Sequence, residues 1–372
     1  MNYRHHIMRM CYFTNHKSGF PMGDLLGNAE SYFKKNETFV WMEFTNDCSS
    51  RCVDAWIDWA ENKSYNRIGI IVNVGMKKPK DNRWSRVPVV IVDNTLQSML
   101  FYHRVNKHKF NTEVFETNKK ILFLTGKPLS PNRLPVLDLL DRGMFHDRFT
   151  TSLFWNDVLY DHAKTVTKLS YDRIKELVEK YNGSPDEAQI SNEHSSIGDF
   201  HMSGVPYDYI LYKKHQLSLI PETRVEYSWE FNYCTEKTYR TILNCHPFII
   251  LGQPGTLSHL KDRGYDCFQD LLPEPNYDQL DISSTEQLQK NWNKIEINCQ
   301  AIIEADPKIV WEKCKLNHAR LLKENEEMLL TVHQATDHQI KYDALSYDNF
   351  GWGKQPNDWV WPSWNTDKRK FK

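Results

Sequence analysis

The sequence is poor in cysteine, has no long apolar run and carries almost no net charge. Eight cysteines in 372 residues are too few for a disulfide scaffold. Cys48-x3-Cys52 also lacks the spacing of a dithiol redox pair. Nothing approaches about 18 consecutive apolar residues, so no membrane-spanning helix is expected. The longest runs, at 68–74 and 87–92, have strand length. The opening MNYRHHIMRMCYF is basic but has neither a sustained apolar stretch nor a small-residue cleavage site. It does not read as a secretory signal, and a reducing cytoplasm is the expected compartment. His5, His6 and Cys11 are followed by no second ligand pair at zinc-site spacing, so the expectation there is a surface terminus without metal. Lysine and arginine (47) nearly cancel aspartate and glutamate (48), for a formal charge of −1. A histone-like polycation is thereby excluded. Nucleic acid is not, because a local basic patch is sufficient for binding.

What is present is apolar and aromatic. With 40% hydrophobic residues the chain is not wholly disordered, and its length suits two lobes. Twelve Trp, 18 Tyr and 18 Phe suit pockets and stacking surfaces, and equally ordinary cores.

Short apolar runs at 38–44, 67–74 (RIGIIVNV), 87–92 (VPVVIV) and 120–125 (KILFLT) predict strands. The last three, without clean alternation, suit strands covered on both faces. Residues 52–61 and 171–181 have helical spacing. After 120–125 come GKPLSPNR and LPVLDLLDRGMF; two prolines delay a helix whose apolar face includes Leu134, Leu137 and Leu140. Residues 183–204 are polar and rich in Gly and Ser, as in a linker or mobile loop. Beyond them, strands are expected at 217–220 and 247–252, and helices at 236–244, 256–262, 284–304 and 307–334. The expected organisation is an α/β chain with a lobe at 1–182, the polar connection, a second lobe at 205–345 and a Trp-rich basic tail at 346–372.

Chemistry concentrates between Ser218 and Asp278. Thr235 is a fair N-cap for the helix that follows, with Glu236 in its first turn. Amides at that end, with Lys237 beside them, suit a diphosphate, and Glu236 suits a ribose diol. Gly252 and Gly255 follow an all-apolar strand, at the carboxyl end where open α/β sheets bind ligands. An ordinary capped helix and tight turn would give the same pattern, and both readings stay open from the residues alone. Gly126-Lys127 is only a fragment of a phosphate loop, because the earlier glycine of GxxxxGK[ST] is missing. Lys127 and Arg133 follow a strand, and Arg133 is a second candidate for phosphate.

The run Glu222…Thr235-Glu236-Lys237-Thr238…His246-Pro247-Phe248…Gly252-x-Pro254-Gly255…Gly264-Tyr265…Phe268…Tyr277-Asp278 resembles the donor-binding region of GT-B-type glycosyltransferases. Phage-encoded members similar to the α1,3-fucosyltransferase group are the nearest likeness. It covers residues 218–278 clearly and LFLTGKPLSPNRLPVLDLL more weakly. The resemblance implies two Rossmann-like lobes facing a central cleft, with room for a C-terminal segment to cross back to the first. It implies a UDP- or GDP-sugar donor, Glu236 on the ribose, Lys237 on phosphate and Glu222 in the same region. No metal is implied, and no DxD motif sits at a convincing strand end. An inverting enzyme would need a general base from the first lobe, for which Asp93, Asp47 and Glu43 are candidates. The acceptor hydroxyl implied is that of hydroxymethylcytosine in double-stranded phage DNA, or of a glycan or protein. The basic stretch 104–109 and the tail tryptophans could contact DNA or simply pack. A non-enzymatic two-lobe nucleic-acid-binding or phage structural protein is the reading from another class.

Overall fold

The computed structural model describes residues 4–10, 30, 38–44, 50–73, 83–93, 96, 110–118, 120–126, 132–153, 160–181, 209–222, 225, 234–335 and 340–342. It is an α/β protein with two parallel sheets. The chain divides into two compact units. One comprises Met1–Gln97, Ile197–Phe200 and Asn325–Lys372, the other Ser98–Ser196 and His201–Glu324.

The first unit holds β1 (Arg4–Met10), β2 (Thr38–Phe44), helix α1 (Ser50–Asn62), β3 (Ile68–Asn73) and β4 (Val89–Val92). Its sheet has the order β4-β3-β2-β1-β9, where β9 is Ile340–Tyr342. The N-terminal segment, expected as a surface terminus, is an inner strand: His5 and His6 pair with Phe39 and Val40 on one side and with Ile340 and Lys341 on the other. Polar residues hide it from a periodicity reading, and its partners lie far off in sequence. Trp41 packs with Ile71, Val90, Val92 and Val332. Its ring lies directly over Gly69, its partner on β3, where an added Cβ would come within 2.5 Å of the indole. Trp56 of α1 is buried, and Trp84 donates to Asp54 Oδ1 at 3.2 Å. These tryptophans build a core.

The second unit holds β5 (Ile121–Gly126), α2 (Arg133–Arg142), β6 (Phe149–Leu153), α3 (Tyr160–Thr167), α4 (Tyr171–Tyr181), α5 (Tyr209–Lys214) and β7 (Leu217–Pro221). It continues with α6 (Glu236–Leu243), β8 (Phe248–Leu251), α7 (Thr256–Asp262), α8 (Thr285–Glu304) and α9 (Pro307–Ala335). Residues 325–335 of α9 belong to the first unit, as does β9. The sheet order is β6-β5-β7-β8, all parallel. Strand 121–126 therefore shares a sheet with 217–221 and 248–251, so the strands group differently from the expected 1–182 and 205–345 lobes. The connection 183–204 and the tail 346–372 lie outside the described residues.

Both β7 and β8 are buried at every position, which explains their unbroken Leu and Ile runs. The free edge of β8 is closed by Tyr277, whose hydroxyl accepts the Ile250 N–H at 2.9 Å. Cys234, Cys245 and Cys267 are free, buried thiols, as their apolar surroundings in sequence suggest. Among the described residues no helix is long and apolar enough to cross a membrane.

Candidate functional site

The β6-β5-β7-β8 order contains a reversal. From β5 the chain crosses through α2 to β6 on one side, then returns past β5 to β7 and crosses through α6 to β8 on the other. Right-handed crossovers in opposite directions put α2 and α6 on opposite faces. The order therefore reverses between β5 and β7, and open α/β sheets bind ligands at the carboxyl ends of the strands at such a point.

The β7 side is built on Glu222. This carboxylate, 2% exposed, follows the strand and extends its ladder, with Glu222 N–H donating to Leu251 O at 2.9 Å. Its Oε1 accepts Thr235 N–H at 3.0 Å and Thr238 Oγ1–H at 2.6 Å, and its Oε2 accepts Thr235 Oγ1–H at 2.6 Å. The anion thus sits at the positive end of α6 and fixes its first turn. Thr235 is the N-cap with extended backbone, and its hydroxyl oxygen accepts Lys237 N–H at 3.4 Å. Part of the amide cluster expected for a diphosphate is therefore already engaged by the protein.

Glu236 and Lys237 lie on this clamped turn. Lys237 Nζ meets Glu236 Oε1 at 2.8 Å and Thr235 Oγ1 at 3.3 Å. Their side chains are 17% and 12% exposed for Lys237 and Glu236, so both retain a little access to ligand. Burial pushes the Glu236 carboxyl up, but Lys237, by charge and hydrogen bond, and then the charge of Arg240 hold it below its ordinary range. Arg240, buried one turn further along, is a cation that the sequence reading missed; its i,i+4 spacing from Glu236 is the signal that marks it.

The turn after β8 is closed. An added Cβ on Gly252 would meet Thr256 Oγ1 at 3.1 Å and Glu222 Cβ at 3.5 Å, so this glycine lets the two strand ends approach. Gly255 has φ of 88° and precedes α7. Asp278 Oδ2 accepts the N–H groups of Gly255 and Leu257, each at 3.1 Å. Gly252 and Gly255 thus shape the turn, while its amides are held by a carboxylate of the chain itself. His246 is structural too: Ser218 Oγ lies 2.8 Å from Nδ1 and His215 O 2.8 Å from Nε2.

On the β5 side, Arg133 opens α2 and is buried, as is its neighbour Asn132. Lys127 lies outside the described residues, as does Asp47. The base candidates belong to the first unit. Asp93 follows β4, is buried and accepts Leu96 N–H at 2.9 Å through Oδ1. Glu43 is the penultimate residue of β2, in register with Arg9 and Ile71. Among the described residues no group of three or more His, Cys, Asp or Glu could hold a metal ion.

No protein-family model matches the chain, and no curated protein matches it in sequence. Among solved structures it is similar to the N-terminal domain of trehalose-6-phosphate phosphatase from Candida albicans. That likeness has 10% identity and a TM-score of 0.39, over 86% of this chain and 77% of the other. The α,α-trehalose 6-phosphate synthase from Burkholderia multivorans gives 10% identity and a TM-score of 0.38, over 84% and 70%. Similarity at that level does not extend to activity.

Proposed function

We propose that the unit built on β5–β8 binds a nucleoside-diphosphate sugar and that the protein is a glycosyltransferase. The observation that carries this is the α6 turn beside the strand-order reversal. A buried carboxylate there holds a helix start rigid, and the next two residues present an acid and a base that retain access. In this reading the Glu236–Lys237 pair opens on binding. Glu236 accepts the ribose hydroxyls and Lys237 turns to the diphosphate, with Arg133 as a second cation. The depressed Glu236 titration keeps it an acceptor near neutral pH. Lys237 would offset charge on the departing diphosphate, an effect of the type that dominates group-transfer catalysis.

The acceptor is a hydroxyl group, with hydroxymethylcytosine in duplex DNA, a glycan or a protein as the classes to try. Metal-independent transfer is the form proposed, on the family resemblance alone.

Thermal shift with UDP, GDP, ADP and CMP compounds tests the donor site. One diphosphate class should stabilise the wild-type chain, and Glu236→Gln and Lys237→Ala should each weaken that ligand by about 10-fold or more. Incubation with pooled nucleotide sugars and the three acceptor classes, read by mass spectrometry, then identifies sugar and acceptor. No nucleotide response from a folded wild-type chain would sink this reading.

A further inference from the structure

Asn132 is 2% exposed, and neither its Oδ1 nor its Nδ2 has a hydrogen-bond partner among the described residues. Local backbone does not explain it. Asn132 stands at the N-cap of the ten-residue helix α2, yet its φ of −93° and ψ of −17° are helical, and it makes no side-chain cap bond. An N-cap side chain normally accepts from the second or third helical N–H, and the third residue here is Pro135, which has none. A buried amide with neither group paired is costly, and such groups call for an explanation. Its position supplies one. α2 is the crossover from β5 to β6, so its start lies at the carboxyl edge of the sheet, beside β5. It thus flanks the β5–β7 reversal opposite Glu222 and α6.

We propose that Asn132 reads the hydroxyl groups of a sugar bound at this edge of the sheet, a proposal that rests on the nucleotide-sugar reading above. The chemistry follows from the two unpaired atoms. The diphosphate diester of a nucleotide sugar offers only acceptors, so it would leave Oδ1 unpaired. A hydroxyl pair donates to Oδ1 and accepts from Nδ2, satisfying both. The ribose and the transferred hexose both carry such hydroxyls. Because both amide atoms are closed to solvent, engagement requires local opening, as in many ligand sites.

The full chain is tested with UDP- and GDP-hexoses, the parent diphosphates and inorganic phosphate. Asn132→Leu, apolar and with the same heavy-atom branching, should raise the unliganded Tm by about 2–4 °C, since it removes an unsatisfied polar group. Because the larger Leu side chain can overpack the site, Asn132→Asp is measured beside it: a Tm unchanged or lowered in Asn132→Leu and lowered equally in Asn132→Asp means that the amide is already satisfied, and overturns the proposal. Asn132→Ala should weaken the ligand bearing the read hydroxyls by about 10-fold. Loss confined to the nucleotide-hexose assigns the hexose, and equal loss with the parent diphosphate assigns the ribose. Unchanged affinity for both, or loss of a response to inorganic phosphate as well, overturns it. If no nucleotide stabilises the wild-type chain, the donor reading fails by itself. Free hexoses and hexose phosphates then decide for Asn132: a shift abolished in Asn132→Leu sustains the proposal, and no shift overturns it.

Discussion

Glu222 shows how one buried side chain can organise the start of a helix. Its resemblance to a family pattern placed it near the donor, and the structure gives it three donors from the α6 start. Removing it leaves a buried N–H and two buried hydroxyls unpaired, at a helix end that favours negative charge. Glu222→Ala should cost about 3–4 kcal/mol in denaturant unfolding. Glu222→Gln, which keeps an acceptor, should cost clearly less. Equal losses would mean that the charge at the helix end decides the effect, and no loss would mean that the clamp is idle. Glu236 differs in kind, because its ion pair with Lys237 is local and open to exchange. That difference is only partly legible in the sequence: a Thr-Glu-Lys at a helix start can be read there, but the clamp on it from Glu222, thirteen residues upstream, cannot.

At the scale of elements, α2 and α4 are joined through two acids. Arg173 Nε meets Asp138 Oδ1 and its second terminal nitrogen Asp141 Oδ2, both at 2.6 Å. Lys180 reaches Asp141 Oδ1 at 2.7 Å and Tyr181 donates to the same oxygen at 2.5 Å. Burial pushes the Asp141 carboxyl up, but Lys180, Tyr181 and Arg173 outweigh it and hold the group well below its ordinary range. A depressed carboxylate contributes fully above its unfolded pKa of about 3.9 and loses the contribution as pH falls through the lower folded value. Asp141→Asn should therefore destabilise the chain at neutral pH by about 1–3 kcal/mol and flatten the acid limb below about pH 4. Denaturant titrations across that range check both effects; parallel wild-type and mutant curves would remove Asp141 from the acid transition. Helix periodicity predicted α2 and α4 individually. Their partnership needed the fold, because Asp141 and Arg173 are 32 residues apart.

Across the molecule as a whole, one buried histidine and two half-buried ones are held neutral. Burial pulls His246 down to about 3; burial and the Arg263 charge pull His259 to about 4; burial also lowers His318. Their unfolded forms titrate near 6.5. Between those values the unfolded chain binds more protons, so this contribution is complete above about pH 6.5 and declines as pH falls toward about 4. Unfolding near pH 5 should take up close to two protons per chain from His246 and His259 alone, about 3 kcal/mol of stability lost per pH unit at most. Calorimetry in buffers of different ionisation enthalpy measures the uptake, and its absence would show that these rings are solvated when folded.

Several features were fixed by local chemistry. The Ile, Val and Leu runs made β3, β5, β7 and β8, since such runs suit strands that are covered; β4 has the same composition but lies at a sheet edge with Ile91 46% exposed, against the expectation of cover on both faces. Helical spacing made α1, α4, α8 and α9, and Gly264, at φ of 87°, ends α7 because a left-handed turn disfavours any Cβ. Thr235 caps α6 through its own side chain. Other features depended on distant pairing. Strand Arg4–Met10 lacks an apolar signature and became an inner strand through Thr38–Phe44 and Ile340–Tyr342. The pairing of Ile121 with Leu217 moved β5 into the sheet of β7 and created the strand-order reversal. Parallel strands join residues separated by whole crossovers, and no local pattern records the partner. The low cysteine content, the near-zero charge and the short apolar runs limited the classes of protein. The placement of Glu222 under α6, and of Asn132 at the same sheet edge, was decided by tertiary structure, because a buried polar group is defined by what surrounds it.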